Sequence, residues 1–432
     1  MVNNETIINF LNLSDYDIKK SKNARWIDQK CTGDVISIVA DCIVEYVNNN
    51  GVDVCFTVKD IWFSEYAKEN VMELFSKPDP KKKANNEYNK FFGQPINLLA
   101  YSGILELIEN ETKKSRGNLF KVNNFELLQY ISIRATNAIN FLVEYIKKVL
   151  IDSEIYENFE LFFRFQDKEN FLQLKNLFRT FTQNNTAIKQ NLEPNRIFTK
   201  VLNTLAFKYK KLGAKGGFLS KDIIQLADIS YNRTNFRDKN VGKSKTQTRK
   251  DFNEQNNITK SQNSRLNYEI AKAKKNLKLF NENYNQGFSE IKQNGEDNVL
   301  ASQVHHIFPQ SDFPDIAYFL ENLIILTPNQ HYLMAHPNNQ TKIIDKDFQY
   351  ICLIAKLGHI MKNLLSQKQT KIYNFDDYKI VLNTGIQTKD FSNIKENDFV
   401  SILQKIDLFY SQFIDDNKFK NLISLNYPNI QK

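Results

Sequence analysis

Apolar residues recur every three or four positions along most of this chain, which predicts a mainly helical fold. Val35, Ile38, Val39, Cys42, Ile43, Tyr46 and Val47 form one stripe over residues 34–49, behind Asp34 as a candidate cap. Val52–Phe56 alternates like a short strand, and Thr57-Val-Lys-Asp60 reads as a capping box that opens a helix to about Ser76. Beyond Lys77-Pro-Asp-Pro-Lys-Lys-Lys83, Pro95 suits the first position of a short helix through Ser102. Ile104–Ile108 and Leu119–Val122 read as strands around a Lys113-Lys-Ser-Arg-Gly117 turn. Residues 125–151 and 156–181 predict long helices rich in Phe and Leu, whose rings suit a core better than a cofactor. A further helix opens at Glu193 and breaks at Gly213–Gly217. Residues 238–263 nearly lack large apolar side chains and read as a flexible link or a loop ordered on a ligand. A helix at about 265–283, strand-like segments at 303–308 and 323–326, and a helical tail over 346–432 complete the pattern. The expected class is mainly α with small β elements (α+β).

Composition narrows the class. With 432 residues, 41% hydrophobic, the chain can bury a sizeable core, and 13 Gly and 9 Pro exclude collagen-like and Pro/Gly-rich disordered chains. The 58 basic residues are 48 Lys and 10 Arg, a skew better explained by AT-rich coding than by selection for phosphate. Their placement says more: residues 207–250 hold 12 Lys/Arg against 3 Asp/Glu, and the rest of the chain carries 46 of each. A neutral body with one basic segment points to a polyanion, nucleic acid first, with a solvated basic face as the alternative. Tyr231-Asn-Arg-Thr-Asn-Phe-Arg237 interleaves rings with Arg233 and Arg237, and Lys243, Lys245, Arg249 and Lys250 extend the charge.

Cys31, Cys42, Cys55 and Cys352 form no C-x-x-C pair, so neither a disulfide framework nor structural zinc on cysteines is expected. A reducing cytoplasm fits. The N-terminus lacks a basic n-region and no apolar run approaches ~18 residues, so neither a signal peptide nor a membrane span is expected.

The order helix, strand, helix, helix, basic hairpin resembles a winged-helix module; a plain helical bundle with an exposed hairpin is the alternative. The resemblance implies that Gln94, Asn97 and Tyr101 face bases while Lys113, Lys114 and Arg116 face the DNA backbone.

Four of the five histidines, His305, His306, His331 and His336, fall within 32 residues. They lie in Val304-His-His-Ile-Phe-Pro309, Glu321-Asn-Leu-Ile-Ile-Leu-Thr-Pro-Asn-Gln-His331 and Ala335-His-Pro337. The segment resembles the HNH nucleases of the ββα-metal class: a doublet ending one strand, Asn-Leu opening the next, and a last His nine positions after the Asn. Thr327 and Gln330 stand where other members carry structural zinc cysteines, so the resemblance is to the cysteine-free branch. Cap signals agree, since Thr327 can cap a helix with Pro328 in its first turn and Gln330 completing a capping box.

By this resemblance, His305 and His331 bind one divalent ion, Mg2+ or another such as Mn2+. His306 is the general base, and Asn322 orients the loop and the base. His336 would lie about 140° from His331 on an α-helix, so it is either a third ligand or, more in keeping with that angle, a phosphate contact or helix-end residue. His359 is expected to be structural.

The resemblance implies a site-specific double-stranded DNA endonuclease of restriction type, leaving 5′-phosphate and 3′-hydroxyl ends. A homodimer would serve double-strand cleavage, and a DNA methyltransferase would be the genetic partner. A homing-type HNH enzyme, a structural zinc knuckle and a non-catalytic DNA-binding protein are the rivals. The expected organisation is a winged-helix-like recognition domain at 1–125, a helical domain with the basic segment at 126–237, a basic link at 238–263, and an HNH domain with helical tail at 264–432, its core at 299–340.

Overall fold

The stripe at 34–49 folds as a helix because its apolar face has a surface to cover, and the helices around it define the first of two units. A computed structural model describes residues 2–75, 85–108, 118–231, 259–295, 299–336, 344–414 and 419–429. The chain divides into units at Val2–Ser261 and Gln262–Lys432. Lys113, Lys114, Arg116, Arg233, Arg237, Lys243, Lys245, Arg249, Lys250 and Pro337 lie outside the described residues.

The first unit runs α1 (Asn4–Leu11), α2 (Ile18–Ser21), α3 (Gly33–Asn50), β1 (Phe56–Thr57), α4 (Val58–Trp62), α5 (Glu65–Leu74), α6 (Asn85–Tyr101), β2 (Leu105–Ile108) and β3 (Leu119–Val122). These strands form an antiparallel sheet in the order β1-β3-β2, with Phe56 opposite Phe120 and Leu105 opposite Val122. Helices α7 (Phe125–Ile133), α8 (Ala135–Asp152), α9 (Tyr156–Phe165), α10 (Lys168–Asn185) and α11 (Leu192–Tyr209), a hairpin β4 (Leu212–Lys215) and β5 (Phe218–Ile223), and α12 (Leu226–Ile229) follow. Gly33 lets α3 meet α8 closely, for a Cβ there would lie 2.4 Å from Ile139 Cγ1.

Several local expectations shift. Asp34 is in the first turn of α3, not at its cap, and its carboxylate accepts the Tyr231 N–H at 2.9 and 3.1 Å. Thr57 and Asp60 do form the capping box, but the helix stops at Trp62 and Ser64 caps a second one. Pro95 lies inside a 17-residue helix rather than opening a short one. The two long Phe-rich stretches become four helices. Arg134 breaks the first with extended backbone, and Gln166 breaks the second at φ 58, after which Asp167 caps the next helix. The glycine-rich break at 213–217 is a hairpin; a Cβ on Gly213 would meet Asn203 Oδ1 at 2.5 Å, and that amide brackets the backbone of Ala214.

Helix α13 (Thr259–Asn285) begins just before the boundary and runs into the second unit, which continues through β6 (Gln303–His306), β7 (Leu323–Leu326), a π-helical turn at Gln330–Ala335, α14 (Lys346–Leu365), α15 (Phe375–Ile386), α16 (Phe399–Ile414) and α17 (Lys420–Asn426). The chain is thus mainly α with small β elements. Among the described residues, no helix is long and apolar enough to cross a membrane.

Candidate metal centre

β6 and β7 pair antiparallel, with His305 opposite Ile324 and His306 opposite Leu323. β7 is the sequence Leu-Ile-Ile-Leu, with every residue at most 1% exposed, so a continuous apolar run pins the hairpin against the helices. Its outer edge is met by Glu290, whose N–H donates to the Ile325 carbonyl and whose carboxylate accepts the Ile325 N–H at 2.8 Å. That carboxylate is buried and ion-paired with Lys356 at 2.6 Å. His359, expected to be structural, uses Nε2 to donate to the Glu290 carbonyl at 3.0 Å.

After β7, Thr327 and Gln330 bond reciprocally, Gln330 N–H to Thr327 Oγ1 at 3.2 Å and Thr327 N–H to Gln330 Oε1 at 3.1 Å. The fully buried Gln330 amide also donates to the Ile291 carbonyl and to Gln293 Oε1, and accepts from the Ser289 hydroxyl. It therefore stitches the turn that carries His331 to residues 289–293. Successive strand residues face opposite ways, and His305 turns toward that turn while His306 does not.

His305, His331 and His336 each offer one ring nitrogen, all within 4.8 Å of one another. Their ring centroids are 5.3, 5.1 and 5.0 Å apart and the rings meet edge to face. His336 joins because the turn is π rather than α: i→i+5 pairing stacks residues five apart, which the 100° step of an α-helix would separate. Nε2 of His305 and Nδ1 of His331 are buried without a hydrogen-bond partner. Three imidazoles gathered this closely, two of them with a buried nitrogen lacking a hydrogen-bond partner, suit a metal ion, so the donor set fits such an ion.

Electrostatics agree. Burial, then the neighbouring imidazoles and Lys274, hold the His305 pKa well below its usual value; burial, His336 and Lys274 lower that of His331. His306 is pushed down to about 4 by burial and by Lys274, against the raising effect of its bond to Ala317.

His306 Nε2 lies 3.1 Å from the Ala317 carbonyl. A carbonyl only accepts, so Nε2 carries the proton and Nδ1 of the neutral ring keeps its lone pair. Ala317 belongs to the loop that Asn322 ties down. Asn322 Oδ1 accepts the Phe308 N–H at 2.8 Å, and its Nδ2 donates to the Phe308 and Ile316 carbonyls. Asn322, fully buried, thus fixes the loop whose carbonyl fixes His306.

In the first unit, Asn97 is exposed on α6. Gln94 Oε1 accepts the Lys30 N–H at 2.8 Å, and the Tyr101 hydroxyl donates to Ser21 Oγ at 3.0 Å with its ring edge-on to Tyr16, so both are partly committed internally. Lys274 and the tethers at Ser289, Glu290 and Lys356 are additions to the residues singled out from sequence. For Lys274 a signal existed: it shares one helical stripe with Ile270 and Leu277, where a lysine is out of place. Comparison with protein-family models, curated proteins and solved structures finds no match to this chain.

Proposed function

We propose that the second unit is a metal-dependent phosphodiesterase centre of HNH type and that the whole chain is a site-specific DNA endonuclease of restriction type. The observation that carries this reading is the juxtaposition of three ring nitrogens within 4.8 Å, on histidines two of which keep a buried nitrogen without a hydrogen-bond partner, with an adjacent histidine whose Nδ1 is an acceptor. His305, His331 and His336 hold the ion. An all-imidazole set suits Zn2+ and its neighbours better than Mg2+ or Mn2+, which prefer oxygen donors, so the ion proposed is of the zinc class rather than magnesium. When bound, it supplies Lewis acidity that neutralises charge on the phosphate and its leaving oxygen.

His306 Nδ1 accepts a proton from the attacking water as its oxygen bonds to phosphorus. The P–O3′ bond breaks, solvent protonates the 3′ oxygen, and the products are a 5′-phosphate and a 3′-hydroxyl. Asn322 keeps the loop and hence the ring of His306 in one orientation. Base reading falls to the first unit, whose strand order β1-β3-β2 supports the winged-helix resemblance, with Asn97 the most accessible of the reading residues. The basic segment with Arg233, Arg237, Lys243, Lys245, Arg249 and Lys250 supplies phosphate contacts, and Lys113, Lys114 and Arg116 those of the wing. A dimer would cut both strands, and a cognate methyltransferase would protect the host's sites.

The test is digestion of genomic DNA to its limit with Zn2+, Co2+, Ni2+, Mn2+ or Mg2+ added, followed by sequencing of the ends. Discrete ends beside a shared motif, with a zinc-class ion most effective, are expected. No cleavage with any ion would refute the enzyme, and ends without a motif would refute the site-specific reading.

A further inference from the structure

The histidine cluster opens to solvent at His331. His305 and His336 are 4% and 5% exposed, whereas His331 is half-buried. A ligand that reaches the three rings from outside therefore passes the turn that carries His331, and the side chains flanking that residue form the rim it meets. The turn divides its residues sharply. Gln330 and Ala335 are fully buried and Met334 is half-buried, while Tyr332 and Leu333 are exposed, Leu333 at 71%. The Tyr332 ring stands edge-on to His331, with centroids 4.6 Å apart and planes at 87°, so it lies directly beside the cluster. The fit of the turn to the fold comes from Gln330, Met334 and Ala335, and the apolar surface of Leu333 is left in water at the mouth of the site.

The chemistry of this rim selects what covers it. Pro328, Asn329, Tyr332 and Leu333 are all exposed and none is charged, so the rim does not compete with the ion for phosphate. It offers a ring face and an aliphatic end, which complement the apolar parts of a nucleotide, its base faces above all. In a stacked duplex those faces are covered by neighbouring bases, and only an opened step presents them. We propose that Leu333 is a wedge that enters the base step beside the scissile phosphate and that Tyr332 stacks on a base so uncovered. This rests on the phosphodiesterase reading above and deepens it by making the substrate a duplex unstacked at the cut. Opening a step costs stacking energy, least at the flexible pyrimidine–purine steps, so the rim adds a preference for TA, CA or TG at the cleaved position without a hydrogen bond to any base.

The experiment compares zinc-loaded, full-length wild type with Leu333→Ala and Leu333→Met. Affinity is read by fluorescence anisotropy on a short duplex and on versions of it with a single mismatch walked along its length, and single-turnover cleavage is read on the same set. A mismatch supplies the opened step in advance, so wild type is expected to bind one mismatched version about tenfold or more tighter than the paired duplex. Leu333→Ala should lose that preference and Leu333→Met should keep most of it. On paired DNA, Leu333→Ala should cleave about tenfold or more slowly, and the mismatch should restore its rate, a rescue that a merely structural role would not give. Zinc affinity, measured by chelator competition, should be unchanged, since the side chain is exposed and ligates nothing. No mismatch preference in wild type, or the same preference in Leu333→Ala, would overturn the wedge even where wild type cuts DNA. Loss of self-association by Leu333→Ala in sedimentation, with the mismatch preference intact, would assign the rim to a second copy and overturn it too. The expected mismatch preference without cleavage by wild type would refute the nuclease reading and leave Leu333 as the wedge of a DNA-binding site.

Discussion

Replacing Gln330 with alanine should weaken metal binding without touching a ligand. The amide is fully buried and its two ends serve different partners. Its oxygen satisfies the Thr327 N–H, and its nitrogen satisfies the Ile291 carbonyl. Truncation strands both backbone groups in the interior, at about 1–3 kcal/mol each, so the second unit should lose about 2–6 kcal/mol. It also frees the turn carrying His331 from residues 289–293. His331 must then be ordered by the ion itself, and zinc affinity should fall about 10- to 100-fold, the range found when groups behind metal ligands are removed. Thermal unfolding of metal-free protein reads the first effect, at roughly 2–4 °C per kcal/mol for a unit of this size. Chelator competition reads the second. Gln330→Glu keeps the acceptor for Thr327 and should lie between the two. Unchanged zinc affinity in Gln330→Ala, with the melting transition lowered as stated, would show that the turn holds His331 without this tether and refute the reasoning.

Three further outcomes follow from the geometry. Gly385→Ala places a Cβ 2.4 Å from the Phe308 ring, two residues from His306, and should destabilise the second unit by about 1–3 kcal/mol; an unaltered melting curve would contradict the packing. Asn322→Ala frees the Phe308 N–H and two carbonyls, so protease should cut between residues 308 and 316 much faster than in wild type, and equal cutting rates would remove Asn322 from the role of tether. Neutralising Lys243, Lys245, Arg249 and Lys250 should weaken binding to all duplexes alike and flatten the dependence of log affinity on log salt by about 0.9 for each phosphate no longer neutralised; an unchanged slope would make the segment a solvated face.

What could be read in the sequence was local. The strand at 323–326 follows from a short apolar run, the one read over 303–308 ends at His306, and the cap at Thr327 follows from two residues three apart. Both concern neighbours in the chain. The place of His336 was less legible, because α-helical stepping separates residues that π pairing stacks, and nothing in Gln330–Ala335 announces the wider turn. The breaks at Arg134 and Gln166 carry neither proline nor glycine. Pro95 misled for the converse reason, since an otherwise buried helix continues through it. The Glu290–Lys356 pair joins residues 66 apart, beyond any periodicity argument. Among the residues expected to face DNA, exposure could not be foreseen: Gln94 and Tyr101 are partly used inside the fold, and Asn97 is not.

The central claim is that the histidine cluster holds a metal while its neighbour His306 activates water for DNA hydrolysis. The most direct measurement is single-turnover cleavage of a duplex by wild type and His306→Ala, both brought to one zinc per chain as verified by elemental analysis. The expected result is equal zinc content and equal duplex affinity, with cleavage by His306→Ala slower by about 100-fold or more, the contribution of a positioned general base. Cleavage within tenfold of wild type at equal zinc content would contradict it.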